Sequence, residues 1–266
     1  MAYLELEHLT KHFHKKTGLF GSHEVVKAVQ DVTLSINKGE ILGLVGESGC
    51  GKSTLSRLIM QLIAPTEGSV VLEGERLADL PPSEIRKRRR DFQMIFQDPY
   101  ASLNPRMTIF STIAEAILTR HPEYRIDKPV LTEAVAQTME KVGLDPRYIR
   151  KYPHEFSGGQ RQRIAVARAL ATEPKLIIAD EPVSALDVSI QSQILNLLRK
   201  LRDDLNLTML FVSHDLAVVK YIADRIAVMD EGKLVEVGDA ETVFDKPESE
   251  CARILLSAIP KIKYGK

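Results

Sequence analysis

Nine residues near position 50 have the types and spacing of a phosphate-binding loop. Glycines in this loop let successive backbone N–H groups turn toward a phosphate, and the start of the following helix adds positive partial charge. Lys52 is expected to reach the β- and γ-phosphate oxygens of a nucleotide, the Ser53 hydroxyl to ligate Mg²⁺, and Thr54 to contact phosphate. Cys50 is interpreted as a spacer, not a nucleophile. The complete loop is Gly46, Glu47, Ser48, Gly49, Cys50, Gly51, Lys52, Ser53 and Thr54.

Paired acids follow a second apolar run. Leu176, Ile177, Ile178 and Ala179 lead directly into Asp180 and Glu181. A carboxylate at the end of a buried strand faces the edge of an α/β sheet where ligands bind. Glu181 is therefore a candidate general base that would polarise an attacking water. A solvated acidic turn is the alternative.

A third element, Ser157-Gly158-Gly159-Gln160, lies roughly 20 residues before the acids. Two glycines and a hydroxyl at the start of a helical run make an anion site. By itself such a sequence is usually a helix cap. With the phosphate loop and the acids in the right order, and Arg161 directly after it, the element becomes highly specific.

The three elements together closely resemble the ABC ATPases. The resemblance implies that Ser157–Gln160 is the signature that reaches across a dimer to ATP held by a partner. It makes Asp180 the Walker B acid for Mg²⁺. It makes His214 the switch histidine that holds the γ-phosphate, the water and Glu181 in line. It makes Gln97 a Q-loop residue for Mg²⁺ and the γ-phosphate, for which a plain polar loop is the alternative.

Further positions extend the resemblance. Phe13 lies where an aromatic ring stacks on adenine, although core packing would equally explain it. Ser184–Asp187 is similar to the D-loop that lines the dimer interface. The stretches 45–53, 94–106 and 180–187 resemble the peptide and nickel importer branch.

That branch implies several partners. These are a second, related ATPase subunit (a homodimer is the second choice), two integral membrane permeases and, indirectly, an extracytoplasmic solute-binding protein. The expected place is the cytoplasmic face of the bacterial inner membrane. Some relatives carry an iron–sulphur cluster in a cysteine-rich tail, and two cysteines predict none here. The basic run 86–90 is interpreted as a solvated helix face, with contact to lipid or permease as the alternative.

The elements needed to position these residues are those of an α/β fold. Short apolar and β-branched runs predict strands at Val25–Val29, Val32–Ile36, Ile41–Val45, Leu176–Ala179 and Met209–Val212, and a hairpin over 226–237. Residues 15–22 are read as an exposed loop. The resemblance implies a P-loop ABC ATPase core with an N-terminal antiparallel β subdomain and an inserted α-helical subdomain.

Domain boundaries follow from a change of pattern. Helical periods broken by prolines run over 98–171, which is the expected helical signature subdomain. The nucleotide-binding core with the β subdomain is expected to comprise residues 1–97 and 172–240, and a short C-terminal tail to comprise residues 241–266. A helix is expected to follow the signature from Arg161, and another from about Val188 to Asp204 with one apolar face.

Composition limits the other functions. The 36 basic and 36 acidic residues balance, so general binding to nucleic acid is not expected. No apolar stretch approaches the ~20 residues that cross a bilayer, and the first residues lack the pattern of a signal peptide. An ATP-hydrolysing importer subunit is the favoured function. A soluble ABC ATPase of DNA repair or translation, and an exporter ATPase, are the alternatives.

Overall fold

The computed structural model describes residues 2–17 and 22–259. The predicted loop at 15–22 and the predicted tail at 241–266 therefore extend, at 18–21 and 260–266, outside the described residues. The chain divides into two compact units, one made of 1–80 with 210–266 and the other of 81–209. Each unit is described separately below.

The first part of the first unit is mainly strands. A four-stranded sheet has the order β2-β1-β4-β5, with every described pairing antiparallel. Leu6 lies opposite Leu34 on one side and Val70 on the other, and all three side chains are buried. This sheet confirms the predicted N-terminal antiparallel subdomain. The elements are β1 (Ala2–Thr17), β2 (Ser22–Asn37), β3 (Ile41–Val45), α1 (Lys52–Ile59), β4 (Glu67–Leu72) and β5 (Glu75–Arg76), followed by a 3-10 turn at Leu77–Asp79.

Two predictions about this sheet were wrong in detail. The two short strands predicted at Val25–Val29 and Val32–Ile36 are parts of the single strand β2. The break between them is an irregularity in the ladder, where Asp31 adopts a left-handed backbone with φ 52°. A bulge of this kind interrupts the alternation of side chains without ending the strand. The predicted loop is also shorter than 15–22, because Thr17 still pairs with Ser22.

The second unit combines two parallel strands with helices. β6 pairs with β7 in parallel, with Phe92 opposite Leu176 and Ile95 opposite Ala179. All described regular elements between Pro99 and Leu170 are helical, whereas the division of 98–171 as a separate subdomain stays a prediction. The elements are α2 (Pro82–Arg88), β6 (Phe92–Ile95), α3 (Pro99–Ser102), α4 (Ile109–Arg120), α5 (Lys128–Lys141), α6 (Gly158–Leu170), β7 (Leu176–Asp180) and α7 (Val188–Leu205), with 3-10 turns at Pro122–Arg125, Pro146–Tyr148 and Pro153–Glu155.

Helix caps explain where these helices begin. The side chains of Asp98, Thr108 and Asp127 accept hydrogen bonds from backbone N–H groups at the starts of α3, α4 and α5. Such caps satisfy donors that a helix start leaves without a partner. The signature helix begins at Gly158, three residues before the predicted start at Arg161, because Ser157 caps it. Helix α7 buries the predicted apolar face at Ile194, Leu198 and Leu201.

The last part of the chain returns to the first unit through β8, which contains the boundary between the two units. β9 pairs with β3 in parallel and with β10 antiparallel, so the predicted hairpin is confirmed. None of the described helices combines the length and apolar character needed to cross a bilayer. The elements are β8 (Thr208–Ser213), α8 (Leu216–Ile222), β9 (Arg225–Asp230), β10 (Lys233–Asp239), α9 (Ala240–Asp245) and α10 (Glu250–Ser257).

Candidate nucleotide site

The phosphate loop lies in the first unit, between the buried strand β3 and helix α1. Gly51 precedes the helix with a left-handed backbone at φ 112°, and no side chain caps the helix start. The first N–H groups of α1 are therefore not satisfied by a local side chain. An uncapped helix start that follows a glycine turn is suited to bind phosphate oxygens.

Lys52 is the buried cation of this loop. Its side chain is 5% exposed, and its Nζ donates to the carbonyl oxygens of Gly46 at 2.6 Å and Glu47 at 2.8 Å. The Cys50 Sγ lies 3.8 Å from the same Nζ. Among the described residues no carboxylate pairs with Lys52. A buried ammonium held only by neutral acceptors keeps much of its attraction for an anion.

Two loop glycines are required by close approach of the backbone. A Cβ at Gly46 would lie 2.1 Å from the carbonyl oxygen of Met229, and one at Gly51 would lie 2.2 Å from that of Ala28. Gly49 differs, since a Cβ there meets nothing within 4 Å. The loop is thus packed tightly at both ends and open in the middle.

Cys50 is a buried residue of the same phosphate loop. Its carbonyl oxygen accepts a hydrogen bond from the Gly232 N–H at 2.9 Å. The second cysteine, Cys251, lies on α10, and burial together with the nearby charge of Asp230 raises the pKa of its thiol to about 11. Both cysteines are free thiols. Cys50 is thus a buried free thiol, and its interpretation as a spacer stays a prediction.

Phe13 and His214 are the other candidate residues of the first unit. Phe13 is 40% exposed on β1, opposite Val26, with the Lys11 ammonium 5.2 Å from its ring centre. Phe13 is thus not part of the buried core, and its stacking on adenine stays a prediction. His214 follows β8 directly and is exposed. It borders a cavity of about 290 Å³ that Leu255 of α10 and Ala258, directly after α10, also line.

The paired acids lie in the second unit at the end of β7. Asp180 is the last strand residue and is 9% exposed. Glu181 comes next with a left-handed backbone at φ 47°, an unusual conformation for a residue with a side chain. Strained backbones of this kind cluster at functional sites. Ser184 fixes the turn by donating its N–H and its hydroxyl to the Glu181 carbonyl oxygen.

Gln97 and Glu181 are brought together. The Gln97 amide Nε2 donates to a Glu181 carboxylate oxygen at 3.0 Å, although 84 residues separate them in the chain. The parallel pairing of β6 and β7 explains the contact, because both residues follow the carboxyl ends of these strands. The contact places the Gln97 amide on the candidate base, while its role toward Mg²⁺ and the γ-phosphate stays a prediction.

Ser157 and Gln160 close the start of helix α6. The Ser157 hydroxyl accepts the Gln160 N–H at 3.3 Å, and the Gln160 side chain accepts the Ser157 N–H at 3.0 Å. This reciprocal pair is a capping box. Gly159 is required by packing, since a Cβ there would lie 2.5 Å from Ile190 Cγ2, whereas one at Gly158 would meet Leu186 at 3.6 Å.

The side chains of these candidate residues suit a nucleotide with its Mg²⁺ better than a metal ion that the protein binds alone. Among the residues that the structure describes, no cluster of three or more His, Cys, Asp or Glu side chains could hold a metal ion. Mg²⁺ in nucleotide sites takes most of its ligands from phosphates and water, with one or two oxygens from the protein. The Ser53 hydroxyl in the first unit and the Asp180 carboxylate in the second unit are each an oxygen ligand of that kind, and their role toward Mg²⁺ stays a prediction.

Sequence reasoning gave no role of their own to two residues near the signature and the Q-loop. Tyr100 and Arg161 contact each other, with the guanidinium carbon 3.8 Å from the ring centre.

The basic run 86–90 is partly paired: Lys87 binds Glu84 at 2.8 Å, and Arg88 lies 3.6 Å from Asp91. Arg86 is exposed, and the interpretation of the run as a solvated helix face stays a prediction.

Comparison with known proteins identifies the family. The ABC transporter family profile matches residues 29–184. The oligopeptide transport ATP-binding protein OppF of Escherichia coli (strain K12) is 52% identical over 97% of this chain and 77% of its own length. AppF of Bacillus subtilis (strain 168), with the same description, is 50% identical over 97% of this chain and 78% of its own.

Solved structures agree with the sequence comparison. The dimeric, post-hydrolysis structure of the ATP-binding cassette MJ0796, bound to ADP and Pi, has a TM-score of 0.76 and 32% identity. It covers 89% of this chain and 98% of that chain. The predicted fold class is thereby confirmed. The chain belongs to the ABC transporter family, as one of its ATP-binding cassettes with ATPase activity.

Proposed function

We propose that this chain is the ATP-hydrolysing subunit of an importer for a peptide-like or other small solute. Relatives described as oligopeptide transport ATP-binding proteins support this proposal, because they match nearly the whole chain. The buried Lys52 ammonium, held only by carbonyl oxygens and a thiol, is the observation that carries nucleotide binding. The loop would bind ATP, with Phe13 stacked on the adenine.

The roles of the other residues follow from their chemistry. Ser53, Gln97 and Asp180 would hold Mg²⁺, which neutralises phosphate charge when bound. Glu181 would accept a proton from the attacking water, and His214 would orient the γ-phosphate. The signature Ser157–Gln160 would contact the nucleotide of a second subunit. In the described structure the Gln97 amide holds Glu181, so nucleotide binding would exchange one hydrogen bond for another.

The partners belong to the same proposal. A related ATPase subunit would complete the dimer, in preference to a homodimer, beneath two integral membrane permeases that an extracytoplasmic solute-binding protein supplies. The chain would then lie peripherally on the cytoplasmic face of the bacterial inner membrane. The alternative in DNA repair or translation receives no support, since the relatives named above are described as oligopeptide transport proteins.

Glu181→Gln tests the assignment of the base. The amide keeps the size and hydrogen bonding of the side chain but does not accept a proton, so we expect kcat to fall about 100- to 1,000-fold. ATP should remain bound, and the chain should accumulate as an ATP-loaded dimer by light scattering. Unchanged turnover would remove Glu181 from the role of base.

Glu173→Gln is the matched control. Glu173 is a second glutamate of the same unit with a left-handed backbone, at φ 52°. Its carboxylate faces His121 instead of Gln97, at 3.6 Å. The control should keep turnover within about twofold, because surface charge pairs of this kind contribute little.

A further inference from the structure

A cavity of about 330 Å³ lies within the second unit. Three helices end at it, since Lys141, Leu170 and Leu205 are the last residues of α5, α6 and α7 and all three line it. We call it the helix-end cavity. Small-molecule sites in proteins have volumes of about 300–1,000 Å³, so this cavity is suited to a ligand of about one or two amino-acid residues.

One wall of the helix-end cavity is apolar and held in place. Leu170 and Leu207 line it and are 6% and 2% exposed. The Leu207 N–H donates to the Arg202 carbonyl oxygen at 3.1 Å, which fixes the backbone after α7. Pro174, whose ring restricts its own backbone, is also buried in this lining. A preformed apolar wall of this kind favours an aliphatic group of a ligand.

The helix ends give the cavity a negative potential. The carboxyl end of a helix carries about half an elementary negative charge, and three such ends meet here. Thr138 adds a buried acceptor, because it lines the cavity and is 7% exposed. Its hydroxyl donates to the Ala134 carbonyl oxygen at 2.8 Å, so its own oxygen can still accept a hydrogen bond. Both features favour an ammonium group.

Two lysines give the solvent side of the cavity the opposite charge. Lys141 and Lys175 both line the cavity and are exposed. The backbone of Lys175 is fixed, since its carbonyl oxygen accepts the Thr208 N–H at 2.9 Å. Glu173 also lines the cavity, but its carboxylate faces His121, with 3.6 Å between the two side chains. The lysines therefore favour a carboxylate on this side.

The helix-end cavity is separate from the paired acids of the same unit. Lys175 directly precedes β7, whereas Asp180 and Glu181 lie at the opposite end of that strand. A strand of five residues spans about 17 Å, at about 3.3 Å per residue. A ligand in this cavity would therefore not touch the paired acids.

We propose that the helix-end cavity binds a free aliphatic amino acid in its zwitterionic form. The ligand carboxylate binds Lys141 and Lys175, and the ligand ammonium group binds the Thr138 hydroxyl beside the helix ends. The aliphatic side chain packs on Leu170 and Leu207. One ligand that carries both charges explains why lysines and negative helix ends line the same cavity. The helix ends would repel a simple anion, and the lysines would repel a simple cation.

Matched ligands test the chemical class. Equilibrium dialysis of the chain with isotope-labelled L-leucine should give one site per chain, with a Kd of about 0.1–1 mM. 4-Methylpentanoate lacks the ammonium group and 3-methylbutylamine lacks the carboxylate, so each should compete at least about tenfold less well. The absence of saturable leucine binding up to about 10 mM would overturn the proposal. Competition by either analogue as strong as that by unlabelled leucine would overturn the zwitterionic class.

Variants of the chain locate the site. Lys141→Met and Lys175→Met should each raise the Kd for leucine about tenfold, because each removes a charge-assisted hydrogen bond. Thr138→Val keeps the shape of the side chain and should raise the Kd about fivefold. Lys128→Met is the matched control, since Lys128 is the first residue of the same helix α5. An unchanged Kd in the three site variants, or an equal loss of affinity in the control, would overturn the proposal.

A substitution on the solvent side tests the cavity without disturbing the core. Leu205 is 44% exposed, so Leu205→Trp should fold, with a melting temperature within about 3 °C of wild type. The larger ring should occupy the cavity and abolish leucine binding. A folded Leu205→Trp that still binds leucine would overturn the proposal. These measurements need no nucleotide, so their outcome is independent of the ATP-hydrolysing role proposed above.

Discussion

Two helix starts in this chain carry anion-binding sequences, and the structure leaves them in different states. Helix α1 begins without a side-chain cap, next to a buried lysine that contacts only carbonyl oxygens and a thiol. Helix α6 begins with a complete capping box formed by Ser157 and Gln160. The first start has no side-chain cap, whereas at the second the side chains of Ser157 and Gln160 satisfy two of the N–H groups.

This difference suggests a division of labour. An open helix start beside a cation can bind phosphate without rearrangement, which suits the primary grip on a nucleotide. At the capped start the Ser157 Oγ already accepts the Gln160 N–H, and its O–H proton remains to be donated to another molecule. A single hydroxyl donor binds phosphate less tightly than an open helix start beside a lysine, as expected for a contact made only when two subunits close.

Removing the Lys52 charge at the uncapped start of α1 has the largest expected effect, which is on turnover and ATP affinity. Lys52→Met keeps the length of the side chain and removes the charge, so kcat should fall more than about 100-fold and ATP affinity should fall with it. Turnover and nucleotide titration measure both quantities. Lys220→Met is the control, because Lys220 is a partly buried lysine of the same unit that pairs with Asp245 at 3.2 Å. Equal losses in both variants would contradict the special role of Lys52.

A substitution that disturbs the packing at the capped start of α6 has the next largest expected effect, which is on the free energy of unfolding. Gly159→Ala forces a Cβ to within 2.5 Å of Ile190, so we expect a loss of about 1–3 kcal/mol in the free energy of unfolding. Gly158→Ala meets Leu186 only at 3.6 Å and should fold with little loss. Urea denaturation measures both, and Ile190→Ala should rescue Gly159→Ala. Equal destabilisation by both alanines would contradict the described packing.

Opening the capped start has a smaller effect on stability. Ser157→Ala removes the acceptor for the Gln160 N–H and should cost about 1 kcal/mol of the free energy of unfolding. Ser157→Thr keeps a hydroxyl and should restore most of it. Thermal unfolding without nucleotide separates this cost from any change in turnover. A neutral Ser157→Ala would mean that the capping box contributes nothing to the free subunit.

The smallest expected effect is on the pH dependence of stability, and it concerns the Cys251 thiol near the start of α1. Burial raises the pKa of Cys251 to about 11, while the Lys52 charge lowers it slightly. A raised pKa in the folded state adds stability below the ordinary thiol pKa, and that part is lost as pH rises from about 9 toward 11. The free energy of unfolding should thus fall more steeply with pH in wild type than in Cys251→Ala. Identical pH profiles would contradict the raised pKa.

Sequence reasoning reaches furthest where chemistry is local. The phosphate loop, the paired acids and the signature could be proposed because each is a contiguous run whose residue types serve one purpose. Buried strands such as Ile41–Val45 were found because they are apolar throughout. The long ladder of β1 and β2 was missed in part, because a bulge at Asp31 interrupts the pattern without ending the strand.

The rest of the site depends on contacts distant in sequence. The bond between Gln97 and Glu181 joins residues 84 positions apart, and only the parallel pairing of their strands brings them together. Arg161 reads as an ordinary helix residue in a run of arginines and glutamines. Its burial and its stacking on Tyr100 follow from the placement of α3, which no periodicity in the sequence reveals.

The left-handed backbone of Glu181 has a consequence for protein engineering. A glutamate at φ 47° stores strain that a glycine would not. Glu181→Gly would therefore relax the turn after β7 while removing the proposed base. A selection for heat resistance alone would enrich inactive survivors at this codon, so such a selection needs growth on the transported solute as a second filter.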